Sequence, residues 1–381
     1  MLVISQNFPP DVSASSILVD NIVRYYQGDC TAIGGFSFQK CDPAFFPSCK
    51  TYYLRPPNNY IVQRLYYKLM PRLRAVNRTL MRRIVCKINP DVIFGNYPEI
   101  EFFVSSFEIA VSLGIPFYAY FHDLWIENMW HACDANMAKR WEPRIFKESK
   151  RIICCTEAQQ AYYWQKYGVR CDLLLHPVPD RDLENLQFHP LNGSEKRIAY
   201  VGSLSRGMNL DALVTLSKAM SLLPPHYKLY WYPLNEIPLD SLAAEGFDTS
   251  RIVMRPLSTT ELKRELKQAS VLVAPLSFKN CSIFEVKTVF SNKIPTYLIT
   301  GRPILIYGPP DSYHARSATE RGWGLVVSKD DANLLSAFIL SLAEDTALQE
   351  ELVQKGFQEA RRRRASLFAA ELGSWVKHDA A

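Results

Sequence analysis

Four stretches of this sequence set phosphate- or sugar-handling residues beside the end of an apolar run. The densest is Tyr200-Val201-Gly202-Ser203-Leu204-Ser205-Arg206-Gly207-Met208-Asn209, which leads into a helical pattern at Leu210. A glycine, free backbone amides, a helix N-terminus and a guanidinium in one strand–loop–helix unit make a cradle for a diphosphate. Gly202, Ser203, Ser205 and Arg206 are its candidate contacts, and a tight structural turn is the plainer alternative. A second stretch, Phe290 to Leu305, opens on Ser291-Asn292-Lys293 and continues through Thr296 and Tyr297 to Gly301-Arg302-Pro303. Lys293 adds a second cation to the same pole. The third is Phe121-His122-Asp123-Leu124-Trp125. A histidine at a strand's carboxyl end can donate to a sugar hydroxyl or to developing charge, or it can be a satisfied end residue. The fourth is the small-residue turn after the first apolar run, with Pro10, Asp11, Ser13 and Ser15. It reads as an amide-lined ligand loop or as an ordinary connection. Asp180-Arg181-Asp182 matches D-x-D but lacks the strand context a metal–diphosphate motif needs, so no metal site is assigned.

These residues need parallel sheets to hold them. Strands are expected at 2–5, 31–34, 52–54, 92–95, 117–121, 151–155 and 173–175, then at 197–201, 227–232, 252–254, 271–274, 303–307 and 324–327. Helical patterns alternate with them, as in βα repeats whose strands are buried on both faces. A helix from Asn209 carries Leu210, Leu213, Leu216 and Met220 on one face, and Ser258–Glu261 is a capping box ahead of Leu262 and Leu266. The Pro-, Asp- and Asn-rich segment His176–Ser194 is a linker. The expected organisation is α/β, two Rossmann-like domains facing across a cleft: 1–185 and 186–360. Ligands of such sheets bind at the carboxyl edge.

Composition narrows the class. The chain has 381 residues, 48% hydrophobic and 22% charged, which suits two globular domains. Nine cysteines, an odd number without a C-x-x-C pair, argue against a zinc site or a disulfide framework and for a reducing, cytoplasmic setting. The start MLVISQNFPPD has no basic n-region and reads as a strand, and the apolar window 100–121 is broken by Glu101 and Glu108. Net charge is +6, but residues 50–90 hold ten bases and no acid, so subtracting +10 leaves −4 for the rest. The bases Arg64 and Lys68 interleave with Leu65, Tyr66, Leu69 and Met70, and further bases with Leu73, Leu80, Ile84 and Val85. Tyr52, Tyr53, Tyr60 and Tyr67 add interfacial aromatics. This is a peripheral contact for the inner face of an anionic membrane, or a solvated basic face. Nucleic acid is not expected, because no binding motif accompanies the patch. Arg361-Arg362-Arg363-Arg364 sits in the last helical region, where it can serve as a surface anchor.

Taken in order, SQNFPPD, HDLW, YVGSLSRGMNL and SNKIPTYLITGRPILIYGPPDS resemble glycosyltransferase family 4 enzymes of the GT-B fold, especially those building bacterial surface polysaccharides. The resemblance covers most of the chain, and the last block is the most specific; it also implies that a C-terminal helix 361–381 crosses back to join 1–185, the alternative to a surface anchor at Arg361–Arg364. It implies a retaining transfer from a nucleotide diphosphate sugar to a lipid-linked or other glycan acceptor, with neither cofactor nor metal. By the same resemblance, Gly202, Ser203, Ser205, Arg206, Glu285, Ser291, Asn292, Lys293, Thr296 and Tyr297 face the donor. Pro10, Asp11, Ser13, Ser15 and Asp123 face the acceptor, and His122, Arg206 and Lys293 carry the chemistry. The chain departs from the family at two places. Ser203 and Arg206 stand where an Arg and a Lys bind the diphosphate. Thr296 replaces the second Glu of an E-x7-E pair, whose first Glu falls near Thr288 with Glu285 close by. The alternatives are an epimerase or hydrolase on the same fold, which an acceptor-free incubation separates, and a non-catalytic sugar-nucleotide-binding subunit, motivated by Ser203 and Thr296.

Overall fold

The apolar runs form strands because each is short, bounded by turn residues and rich in β-branched and aromatic side chains. The computed structural model describes residues 1–10, 13–35, 46–54, 75–98, 100–127, 132–191, 193–279 and 283–380. The chain divides into two compact units, Met1–Pro179 with Ala365–Ala381, and Asp180–Arg364.

The first unit is built on β1 (Leu2–Ser5), β2 (Thr31–Gly35), β3 (Lys50–Leu54), β4 (Ile93–Tyr97), β5 (Phe117–Phe121), β6 (Arg151–Cys154) and β7 (Asp172–Leu173). They lie parallel in the order β3-β2-β1-β4-β5-β6-β7. Strand pleating sends Leu2 and Ile4 into one apolar layer and Val3 into the other. β4 and β5 are buried along their whole length, as strands covered on both faces must be. The covering helices are α1 (Ala14–Tyr25), α2 (75–88), α3 (Ile100–Leu113), α4 (Ala132–Glu148) and α5 (Glu157–Tyr167).

Helix α2 corrects part of the expected basic surface. Met81 and Val85 are fully buried and Ile84 packs against the same core, so Ile84 and Val85 are core residues. Val76 and Leu80 remain exposed. Arg78 is 3.0 Å from Glu108, and Arg82 donates to Ser112 Oγ at 2.6 Å. Residues 55–74, with half of the bases in the stretch, lie outside the described residues, as do Asp11 and the side chain of Glu285.

The second unit holds β8 (Lys196–Val201), β9 (Tyr227–Tyr232), β10 (Ile252–Met254), β11 (Val271–Pro275), β12 (Ile304–Tyr307) and β13 (Leu325–Val327), again parallel, in the order β10-β9-β8-β11-β12-β13. A short 3-10 turn, Asp180–Leu183, precedes it. Its helices are α6 (Leu210–Leu222), α7 (Leu239–Ala244), α8 (Thr259–Leu266), α9 (Ile283–Thr288), α10 (Lys293–Leu298), α11 (Tyr313–Arg321), α12 (Ala332–Glu344) and α13 (Thr346–Arg362). Leu213, Leu216 and Met220 of α6 bury against Ile198, Tyr200 and Trp231. The capping box at Ser258 and Glu261 closes reciprocally, burying Leu266 but leaving Leu262 half-buried.

A final helix, α14 (Ala365–Asp379), belongs to the first unit. Phe368, Leu372 and Val376 enter the core that Leu18 and Ile22 of α1 line. Asp379 receives Arg151 at 2.6 Å and the Tyr118 hydroxyl at 2.7 Å. In each sheet the strand order reverses beside the first strand, between β1 and β4 and between β8 and β11, which sets a binding crevice at their carboxyl ends.

Candidate active site

In the second unit the crevice is opened by Gly202, directly after β8. Its φ is +139°, and a Cβ there would stand 2.8 Å from the Tyr200 hydroxyl and 3.2 Å from Lys293 Nζ. The position therefore needs glycine twice, for conformation and for room. Its carbonyl accepts from Trp231 Nε1 at 2.7 Å, and its N–H donates to the Tyr232 carbonyl at 3.1 Å. Asn209 ties the rest of the loop. Its Oδ1 accepts from the Ser205 N–H at 2.9 Å, while Nδ2 donates to the Tyr200 hydroxyl at 2.9 Å and to the Ser203 carbonyl at 3.2 Å. Ser203 itself is exposed at the rim.

Lys293, the first residue of α10, brings a cation to this loop. Its ammonium lies 4.6 Å from the Tyr200 ring centroid and 3.5 Å from that residue's hydroxyl. Among the described residues no carboxylate pairs with it, and burial pushes its pKa down to about 8. Tyr297, one turn on, fixes the helix to the sheet: its hydroxyl accepts from the Val201 N–H at 2.9 Å and reaches the Val273 carbonyl at 3.4 Å.

Gly202, Lys293 and Tyr297 are thus brought together around Tyr200. Arg206 stands apart: it is 78% exposed and ion-paired with Glu245. Thr296 lines a cavity bounded by α8 and the segment after Asp180, among whose walls Gly202 and Lys293 are not found. Asp180 and Asp182 of the D-x-D sequence meet cations, Asp182 with Lys263 at 2.8 Å and Asp180 with Arg364 at 4.0 Å.

The turn holding Lys293 has supports that sequence reading missed. His314 Nε2 accepts the Ser291 N–H at 2.8 Å, and its ring stacks on Phe290 at 5.5 Å. The Arg363 guanidinium lies 3.8 Å from the Phe290 ring centroid and holds Glu359 at 2.7 Å. Arg363 is fully buried, so this member of the four-arginine run is a core residue rather than part of a surface anchor. Burial pushes His314 down to about 3, with Lys293 and Arg363 adding repulsion, so it is a neutral acceptor at pH 7.

In the first unit, His122 and Asp123 follow β5. The His122 ring meets Tyr120 edge-on at 4.6 Å, and its carbonyl accepts from Gln159 Nε2 at 2.8 Å. Its Nε2 is buried with no partner among the described residues. Burial pushes His122 down to about 3 and Asp123 up to about 6, so the imidazole is neutral at pH 7 and can serve as a hydrogen-bonding group but not as a cation. Ser13 is the N-cap of α1, accepting from the Ser16 N–H, while Pro10 and Ser15 are half-buried. Sequence reading missed Ser5 and Asn96 at the strand-order reversal, where Asn96 Nδ2 donates to Ser5 Oγ at 3.0 Å.

Residues 38–174 match the profile of Glycosyltransferase Family 4. Among solved structures, sucrose-phosphate synthase from Thermosynechococcus elongatus aligns with a TM-score of 0.73 at 16% identity, over 99% of this chain and 98% of that one. HepE from Anabaena, in complex with UDP and glucose, aligns with a TM-score of 0.69 at 12% identity, over 99% and 98%. An α,α-trehalose-phosphate synthase (UDP-forming) from Burkholderia vietnamiensis gives a TM-score of 0.69 at 13% identity, over 99% of both chains. No curated protein sequence matches the chain. The two parallel sheets and these alignments give the chain the GT-B fold, and its residues 38–174 resemble Glycosyltransferase Family 4.

Proposed function

We propose that the chain transfers a sugar from a nucleotide diphosphate sugar to a lipid-linked glycan acceptor, with Lys293 as the main cation for the departing diphosphate. The observation that carries this reading is the Lys293 ammonium, without a carboxylate among the described residues, set against a loop where only glycine fits. A charge left so uncompensated favours an anionic ligand. HepE, bound to UDP-glucose in a further solved structure, supports that ligand class. The Gly202 and Ser205 N–H groups and those of residues 208–210 are already used by the fold, so the Ser203 and Leu204 amides of the loop would face the phosphate oxygens. Arg206 would join by exchanging Glu245 for the ligand. The buried, neutral His122 would hydrogen-bond the donor sugar. A phosphate oxygen of the leaving group would assist the acceptor hydroxyl, retaining anomeric configuration without a metal. The bases of residues 50–90 would hold the protein to the cytoplasmic face of an anionic membrane. No helix among the described residues is long and apolar enough to cross one.

Calorimetry with UDP-, GDP-, dTDP- and CMP-sugars tests the core of this reading. One nucleotide class is expected to bind, and Lys293→Ala to weaken it at least tenfold. Silence from every nucleotide would sink the proposal. Transfer should survive EDTA, and vesicle sedimentation should favour anionic over neutral lipid and weaken with salt.

A further inference from the structure

The cavity that Thr296 lines lies wholly within the second unit and measures about 470 Å³. Its walls are α8, the end of α10 and the chain from Arg181 to His189. Five bases, Arg181, Lys263, Arg264, Lys267 and Arg302, outnumber two acids, Asp182 and Glu184. Lys263 is committed to Asp182 at 2.8 Å, and Arg264 leans toward Glu265 at 3.8 Å. Arg181, Lys267 and Arg302 have no ion-pair partner among the described residues, and only Glu184 is left to balance them.

Arg302 is the telling member. It is 7% exposed, and its Nε has no hydrogen-bond partner among the described residues. Proteins rarely bury a guanidinium unless a carboxylate, a carbonyl or a bound anion receives it. The conformation here does not require arginine: Arg302 leads from the Gly301 turn, at φ +73°, into Pro303. Its burial lowers its pKa, the direction expected of a cation still waiting for its counter-charge.

We propose that this cavity is a second anion site, separate from the Gly202–Lys293 cradle, which takes a small phosphomonoester through Arg302, Arg181 and Lys267. The planar guanidinium fork matches phosphate oxygens. The volume exceeds what a bare phosphate fills and falls within the range of small-molecule sites. Asn185, Gln187, His189, Thr296 and Thr300 share the remainder with Leu186 and Ile299, a mixed lining that suits a body with both hydroxyls and C–H faces, as in a sugar phosphate. Because Thr296 is one turn from Lys293 on α10, an occupant here borders the donor cradle without sharing its cation.

The test uses the full chain without nucleotide, so its failure leaves the transferase reading untouched. Thermal melts and calorimetry would compare glucose 6-phosphate, inorganic phosphate, glucose and sodium chloride at matched ionic strength. Glucose 6-phosphate is expected to raise Tm most and inorganic phosphate less, with glucose and chloride giving no shift. Inorganic phosphate acting as strongly as glucose 6-phosphate would replace the ester with the free ion and overturn the stated ligand class. Arg302→Gln should weaken binding at least tenfold. So should Arg181→Gln combined with Lys267→Gln, which touches no buried residue and covers a folding failure of the first variant. Lys293→Ala should bind as the parent does. An equal shift with chloride, full binding in the double variant, or loss in Lys293→Ala would each overturn the proposal.

Discussion

Lys293 makes a prediction that separates binding from stability. Burial holds its pKa at about 8, so the ammonium is mostly charged at pH 7 and mostly neutral at pH 9. A diphosphate raises that pKa on binding, so nucleotide affinity should fall roughly tenfold from pH 7 to pH 9, and Lys293→Arg should flatten the profile. The free protein responds in the opposite sense. A lysine whose folded pKa lies below its unfolded value near ~10.4 binds fewer protons folded than unfolded, so its contribution to stability grows as pH rises through that interval. Calorimetric titration and urea melts at the same pH values check the two arms, and parallel slopes would remove Lys293 from the proposed donor site. Gly202→Ala should injure the same place from the other side. Its Cβ would press on the Tyr200 hydroxyl at 2.8 Å and on Lys293 Nζ at 3.2 Å, at a φ of +139°. About 1–3 kcal/mol of stability should be lost, together with most nucleotide binding. An unchanged melt and titration would show that the loop relaxes freely.

At the scale of elements, the placement of Lys293 depends on α10 being pinned at both ends. Tyr297 pins it to β8 and β11, and His314 pins the preceding turn through the Ser291 N–H. His314→Ala should cost about 1–3 kcal/mol by leaving that donor unsatisfied, and should weaken nucleotide binding without removing any group the ligand would touch. His314→Gln, which restores an acceptor, should recover part of both. His314 and His122 also make the fold sensitive to acid. Each is held near 3 by burial, well below its unfolded value near ~6.5. Between those limits the unfolded chain binds more protons, so stability is complete above about pH 6.5 and declines as pH falls toward 3. Urea midpoints from pH 7 to pH 4 should drop, and less steeply in His314→Gln. The sequence showed Ser291-Asn292-Lys293 because those residues are adjacent. It could not show His314 or Arg363, which reach the turn from α11 and from the end of α13. Nor could it show that Arg206 turns to Glu245, because the choice between a ligand and a distant carboxylate is made by tertiary packing.

At the scale of the whole molecule, the thirteen strands among the described residues were legible because each is a short apolar run between turn residues, the kind that parallel pairing buries on both faces. What stayed hidden was which apolar residues of a basic stretch serve the core. Val85 and Ile84 carry the same pattern whether they meet a membrane or a sheet, and only the packing of α2 decides. The same ambiguity surrounds α14, and there it yields a prediction. Its amphipathic pattern cannot say which unit it joins, yet Phe368, Leu372 and Val376 fill the first unit's core. Burying three such side chains contributes roughly 5–9 kcal/mol, comparable to the whole stability of a domain at about 5–15 kcal/mol. Asp379 adds a polar clasp: burial opposes its charge, but Arg151 and Tyr118 hold the carboxyl well below the usual range, a contribution present at neutral pH and lost in acid. A chain ending at Arg364 should therefore lose the first unit while keeping the second. Hydrogen exchange should show protection collapsing in α1, β5 and β6 and persisting in β8 through β12. Asp379→Asn should give a milder loss confined to the same elements. Uniform loss in both units would mean that they unfold as one cooperative body. Protection retained in α1 would mean that the α14 contacts contribute far less than their buried area implies.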